Sequence, residues 1–175
     1  TGSTMVVRGK RDAMQIGRFG EVSDLVFKNG YVDLLTNLDI FGSQSTLKIG
    51  GNATLQTNKV HVSDGGTLNL GGELAGDLIN SGGTLDLNGR NIGSAFLNGN
   101  LNIFDQGEDP PLPSSIVFDI SGNIPGVTHD FLSIDRSADL TGVTIELRYN
   151  WGPPVGEVFD FISAETFTGL PAIMT

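Results

Sequence analysis

One pattern recurs along the chain: a short run of alternating apolar and polar residues, a tight turn of Gly, Ser, Asn or Asp, then a second alternating run. It occurs in DLVFKNGYVDLLTN (24–37), LDIFGSQSTLKIGG (38–51), KVHVSDGGTLNLGG (59–72) and DLINSGGTLDLNG (77–89), with a looser copy, AFLNGNLNIFDQG, at 95–107. Aligning the second runs brings together Val32, Leu47, Leu68, Leu85 and Leu101, at steps of 15, 21, 17 and 16 residues. Strand patterning at such a period, with Gly-rich corners, marks a solenoid in which each repeat forms one coil. The unequal steps point to coils whose corners vary in length.

Alternation with period 2 sends one set of side chains inward and the other outward. The inward pairs are Leu47 and Ile49, Leu68 and Leu70, and Leu85 and Leu87; Lys48, Asn69 and Asp86 face solvent. Coils stacked in register place these apolar residues in columns spaced about 4.8 Å apart. No single coil buries its own apolar face, so its neighbours must cover it. A helix fails, because Gly and Asn recur too often and the apolar spacing is 2. The turns Asn29-Gly30, Asp64-Gly65-Gly66 and Ser81-Gly82-Gly83 tolerate positive φ. They would also serve an antiparallel hairpin meander, the competing architecture. The recurrence of similar corners at one coil's length favours the solenoid.

The 175 residues suffice for one domain, and 38% apolar content with regular placement is not that of a disordered chain. No window approaches the roughly 18 continuous apolar residues of a membrane helix, and the first residues lack the basic-then-apolar pattern of a signal peptide. Without cysteine, disulfides and thiolate metal sites are excluded. Charge is uneven. Residues 1–20 hold four basic side chains against one acid, a net of +3, while residues 101–175 hold two against eleven, a net of −9. The overall −10 argues against a nucleic-acid partner, whose binding depends on Lys and Arg neutralising phosphates.

After Gly107 the character changes. The Pro-rich EDPPLPSS (108–115) reads as a corner loop, and strands resume in IVFDISG (116–122), DFLSID (130–135), GVTIELRYN (142–150) and WGPPVGEVFDFISA (151–164). Phe131, Tyr149, Trp151, Phe159, Phe161 and Phe167 gather here, as expected of an aromatic-rich end cap. The expected organisation is an N-terminal segment or cap (1–23), solenoid coils (24–107), the corner loop (108–115), and C-terminal coils with their cap (116–175). Segment 129–170 resembles the closing module of bacterial autotransporter-type surface β-helix proteins. The resemblance rests on Asp130-Phe131-Leu132, Leu140-Thr141-Gly142, the strand from Thr144 to Tyr149, Gly156-Glu157-Val158-Phe159 and Phe167-Thr168-Gly169. The coils before it look like the NSGTL repeats of that family. The resemblance implies an all-β, single-stranded parallel β-helix displayed outside the cell. The loop at 105–115 departs from the family's pattern.

No catalytic, cofactor or metal set emerges from spacing. His61, in KVHVSD, falls on the polar side of a strand with no partner apparent, and His129 lies beside Asp130 in a turn without further ligands. Asp105, Glu108 and Asp109 read as solvated loop acids rather than a calcium site. Ser63, Ser81 and Ser114 lack a nucleophile-elbow context. The outward column of Lys48, Asn69 and Asp86 holds one acid, whereas glycoside hydrolysis needs two. Asn52-Ala53-Thr54 matches a glycosylation sequon. The expected function is a noncatalytic extracellular structural or adhesive module, in a fibre or surface layer, with a surface glycan or protein as ligand. Opposite charge at the two ends of the chain favours head-to-tail self-association through residues 1–20. The alternatives are a carbohydrate-active β-helix enzyme (polysaccharide lyase or hydrolase) and a viral or phage spike-like trimeric β-helix.

Overall fold

The computed structural model describes residues 4–7, 13–17, 22–103 and 113–174. They are all-β, with no helix among them. In chain order the strands are β1 Thr4–Val7, β2 Ala13–Ile16, β3 Ser23–Leu34, β4 Asn37–Phe41, β5 Ser45–Ser63, β6 Thr67–Leu70, β7 Glu73–Ser81, β8 Thr84–Leu87 and β9 Ser94–Asn98. They continue as β10 Leu101–Ile103, β11 Ser115–Ile120, β12 Phe131–Ile134, β13 Ser137–Asp139, β14 Thr144–Tyr149, β15 Ile162–Ser163, β16 Thr166–Thr168 and β17 Ala172–Met174. All belong to one sheet, mostly parallel, that curls into a half-barrel.

Every pairing between named strands is parallel, which rules out the antiparallel meander. The pairings fall into three ladders. In the first, Val32, Leu55, Leu74, Leu97 and Ile134 stand in register. In the second, the row is Met14, Leu38, Val60, Leu78, Leu101, Ala138 and Phe167. In the third, it is Leu25, Leu47, Leu68, Leu85, Ile116 and Ile145. The long strands β3, β5 and β7 bend across corners and serve two or three ladders each. Inward side chains of all three ladders meet in one core cluster.

The second runs of the repeats do not all stack in one row, contrary to expectation. Leu47, Leu68 and Leu85 share a row as expected, but Val32 and Leu101 belong to the other two ladders. Each quoted repeat is a strand–corner–strand unit, and successive strands pair in the three ladders in turn. Successive residues of the third row lie 22, 21, 17, 31 and 29 positions apart. Period-2 patterning looks the same on all three faces, so sequence spacing alone mixed them.

The Gly-rich turns fall at corners as expected. Asp64 and Gly65 take φ of 51° and 79° between the second and third ladders, a conformation glycine adopts freely. At Gly76 a Cβ would lie 2.1 Å from the Thr57 carbonyl oxygen, so the backbones approach as only glycine permits. Corners between the third and first ladders lengthen along the chain, from Gly71-Gly72 to residues 121–130 and then 150–161. The second ladder carries the inward polar residue Asn80, in the row of Val62 and Ile103, and its bonds are met locally. Its Oδ1 accepts from Gly83 N–H, its Nδ2 donates to Ser115 O, and its own carbonyl accepts from the buried Ser114 hydroxyl. Buried polar groups in such a core must be paired in this way.

Residues 1–23, expected as a segment or cap before the coils, supply β1 and β2, which stack on Tyr31–Leu34 and Asn37–Ile40. Most of the 108–115 corner lies outside the described residues. Of the expected aromatic cap, Phe161 packs on Phe118 at 5.0 Å between ring centres, while Phe167 and Tyr149 are substantially exposed.

Leu68 is fully buried at the centre of the third row. Leu68→Ala should cost about 2–5 kcal/mol by urea denaturation, through lost burial and a residual cavity. Val127→Ala, on an exposed corner, should stay within about 0.5 kcal/mol.

Candidate functional site

Chemically capable side chains collect in three places. The first is the outward face of the third ladder. Lys48, Asn69 and Asp86 stand in one column, as the alternation requires, and the register carries that column on through Val117 to Glu146. Asp119 and Arg148 are paired one step further along the same strands. Arg148 binds Asp86 at 3.3 Å and Glu146 at 3.1 Å. To reach β8 from β14 its side chain must cross β11, and the outward Val117 there is buried. Burial pushes the Asp86 carboxyl up against the opposing pull of Arg148. Burial also pushes Asp119 up, against Arg148 and Arg90, and its Oδ2 is buried without a hydrogen-bond partner among the described residues. The column therefore holds two acids, not one. Aligning Thr84-Leu85-Asp86-Leu87 with Thr144-Ile145-Glu146-Leu147 exposes the match; the rung between them, Ser115 to Phe118, has a valine at that place.

The second place is the outward face of the second ladder. His61 is half-buried there, and its Nε2 lies 2.5 Å from Ser81 Oγ. Asp39 is the in-register neighbour of His61 on β4. Burial lowers the His61 pKa; Asp39 and Asp64 oppose that effect and Lys59 adds to it. The expected unpartnered strand residue thus has a hydroxyl partner. The sequence hid the contact because it joins residues 20 apart through the ladder. The amides after Ser81 are engaged: Gly82 N–H donates to Ser114 Oγ at 2.8 Å and Gly83 N–H to Asn80 Oδ1 at 2.9 Å.

The third place is the long corner beside β11. His129 is fully buried, with Nδ1 3.2 Å from the Gly122 carbonyl oxygen and Nε2 3.0 Å from that of Asp160. Its ring meets Phe159 and Phe161 edge-on. It pins two corner loops together. Asp130, named from the sequence only as a motif residue beside His129, is also fully buried. Its Oδ1 accepts from Gly93 N–H at 3.0 Å and from Asn88 Nδ2 at 3.5 Å, and its Oδ2 accepts from Asp119 N–H at 2.8 Å. Burial opposes the charge and those three donors favour it; burial prevails, and the carboxyl is pushed up to about 6.

Asp105, Glu108 and Asp109 lie outside the described residues. Ser63 lies on the same outward face as His61, and Asn52 is exposed on β5. Among the described residues no three His, Cys, Asp or Glu side chains cluster as a metal site would require. Among the described residues no helix is long and apolar enough to cross a membrane. No family model, curated protein or solved structure matches the chain.

Asp130 yields a signed pH dependence. Its pKa is about 6 when folded against an ordinary 3.8, so the folded chain holds this proton more tightly. The resulting stability is complete below about pH 4 and lost as pH rises through about 6. The stability of the native chain relative to Asp130→Asn should therefore rise by up to about 3 kcal/mol between pH 7 and pH 4. Urea titrations of both proteins across that range measure it, and a constant or opposite difference contradicts the assignment.

Proposed function

We propose that the chain is a parallel β-solenoid serving as a noncatalytic, extracellular structural or adhesive module, and that its copies join end to end. One observation carries this reading: among the described residues, the terminal strand of every ladder pairs on one side only. At one end these strands are β1, β2 and the start of β3; at the other they are β15, β16 and β17. Burial weakens toward both ends, where Leu25, Phe27 and Ile162 are only partly covered and Phe167 is half exposed. Open edges of this kind recruit further strands. Only head-to-tail stacking keeps the added pairs parallel, like every other pair in the ladders. Such a contact is heterologous and propagates. The basic residues 1–20 and the acidic 101–175 supply complementary charge. The resemblance to surface β-helix proteins supports display outside the cell.

The test is particle mass by light scattering across salt concentrations. The intact chain should form assemblies at low salt that shrink as salt screens the charged ends, and removal of residues 1–20 should abolish them. Monomers at every salt, or unchanged assembly after the truncation, contradict the proposal.

A second reading, a carbohydrate-active enzyme, draws on Asp86 and Glu146 held by one guanidinium. Two carboxylates, one with a raised pKa, are what glycoside hydrolysis uses. Under this reading Asp86→Asn lowers release of sugar reducing ends by about 100-fold or more. The noncatalytic reading predicts no release from either protein.

A further inference from the structure

Ser81 and His61 meet the geometric description of a nucleophile and its base: side chains within hydrogen-bond reach, with a third group beside the base. Both sit on rigid strands of adjacent rungs, so the backbone register fixes their spacing. Both are partly exposed on the outward face, within reach of a reagent from solvent. Ser63, two residues from His61 on the same face, provides an internal comparison because no hydrogen bond joins its side chain to His61 among those described.

We infer that Ser81 is an activated nucleophile that takes an acyl or phosphonyl group from an electrophilic ester or fluorophosphonate, with His61 as general base and Asp39, its in-register neighbour, as a nearby negative charge. In the acyl step Ser81 Oγ attacks the ester carbonyl carbon as its proton passes to His61 Nε2. The new Oγ–C bond forms, and the bond from carbon to the leaving oxygen breaks. The leaving alcohol departs as its anion or takes the proton back from His61. With a fluorophosphonate the Oγ–P bond replaces P–F, fluoride leaves, and the proton stays on His61. Asp39 contributes its charge, which stabilises the imidazolium formed in the step. The two amides that follow Ser81 already donate elsewhere, so neither is free to stabilise the oxyanion of an acyl intermediate. The site is accordingly a stoichiometric acceptor rather than a rapid hydrolase. This inference does not depend on end-to-end assembly.

The experiment treats the full chain with a fluorophosphonate probe and locates the label by peptide mass spectrometry. Label should concentrate on Ser81, not Ser63, and vanish in Ser81→Ala. His61→Gln and His61→Ala should each slow labelling by about 100-fold while circular dichroism and melting temperature remain native. The native rate should rise with pH and level off, with a midpoint below the ordinary histidine value of 6.5. Asp64 and Lys59 also face His61, but Asp39 exerts the stronger upward pull, so Asp39→Asn should move that midpoint lower still. Label spread evenly over serines, no label at all, or His61 variants that label within a few-fold of the native rate would each overturn the assignment.

Discussion

The parallel hydrogen-bonded register between rungs is the constraint from which the rest of the structure follows. Once Leu47 is set beside Leu68, and Leu68 beside Leu85, each ladder can change only in length, not in phase. A slip of one residue would turn the whole inward set to solvent. The core is therefore a set of rows rather than a jigsaw of unrelated shapes, and each rung's apolar face is covered by the rungs beside it. Asn80 shows how strict the rule is. Its place in a row otherwise formed by Ile16, Ile40, Val62 and Ile103 is tolerated because neighbouring amide, hydroxyl and carbonyl groups satisfy it.

The same register organises the outside. Thr46, Thr67, Thr84, Ser115 and Thr144 form one outward row, with Ser115 Oγ donating to Thr84 Oγ1 at 3.1 Å. Asp86 and Glu146 are brought within reach of one arginine although 60 residues separate them in the chain. His61 and Ser81 are joined by the same means. Chemistry on this surface arises from stacking, and it changes whenever a corner gains or loses residues.

Strand patterning, Gly-rich corners and the all-β class were legible in the sequence because period 2 and positive-φ turns are local properties. The inward sets Leu47 and Ile49, Leu68 and Leu70, and Leu85 and Leu87 were read correctly for that reason. Which rung stacks on which was not legible. The three faces share one alternation, and corners of unequal length disguise the circuit, so Val32 and Leu101 were misaligned. Arg148 escaped notice as a site residue because its partner Asp86 lies two rungs away, and Glu146 because its place in the Asp86 column appears only through the register. Asp130 was missed as a site residue because a buried carboxylate held by backbone amides leaves no spacing pattern. Its partners come from Gly93 and Asp119, on two different rungs.

The two ends of the described chain lie at opposite ends of the ladders, with β1 and β2 in the first rungs and β16 and β17 in the last. Tension applied through them would not shear many hydrogen bonds at once. It would open one rung after another, as a zipper opens, so the resisting force would be that of a single circuit of short strands. The molecule would lengthen in steps instead of failing as a block.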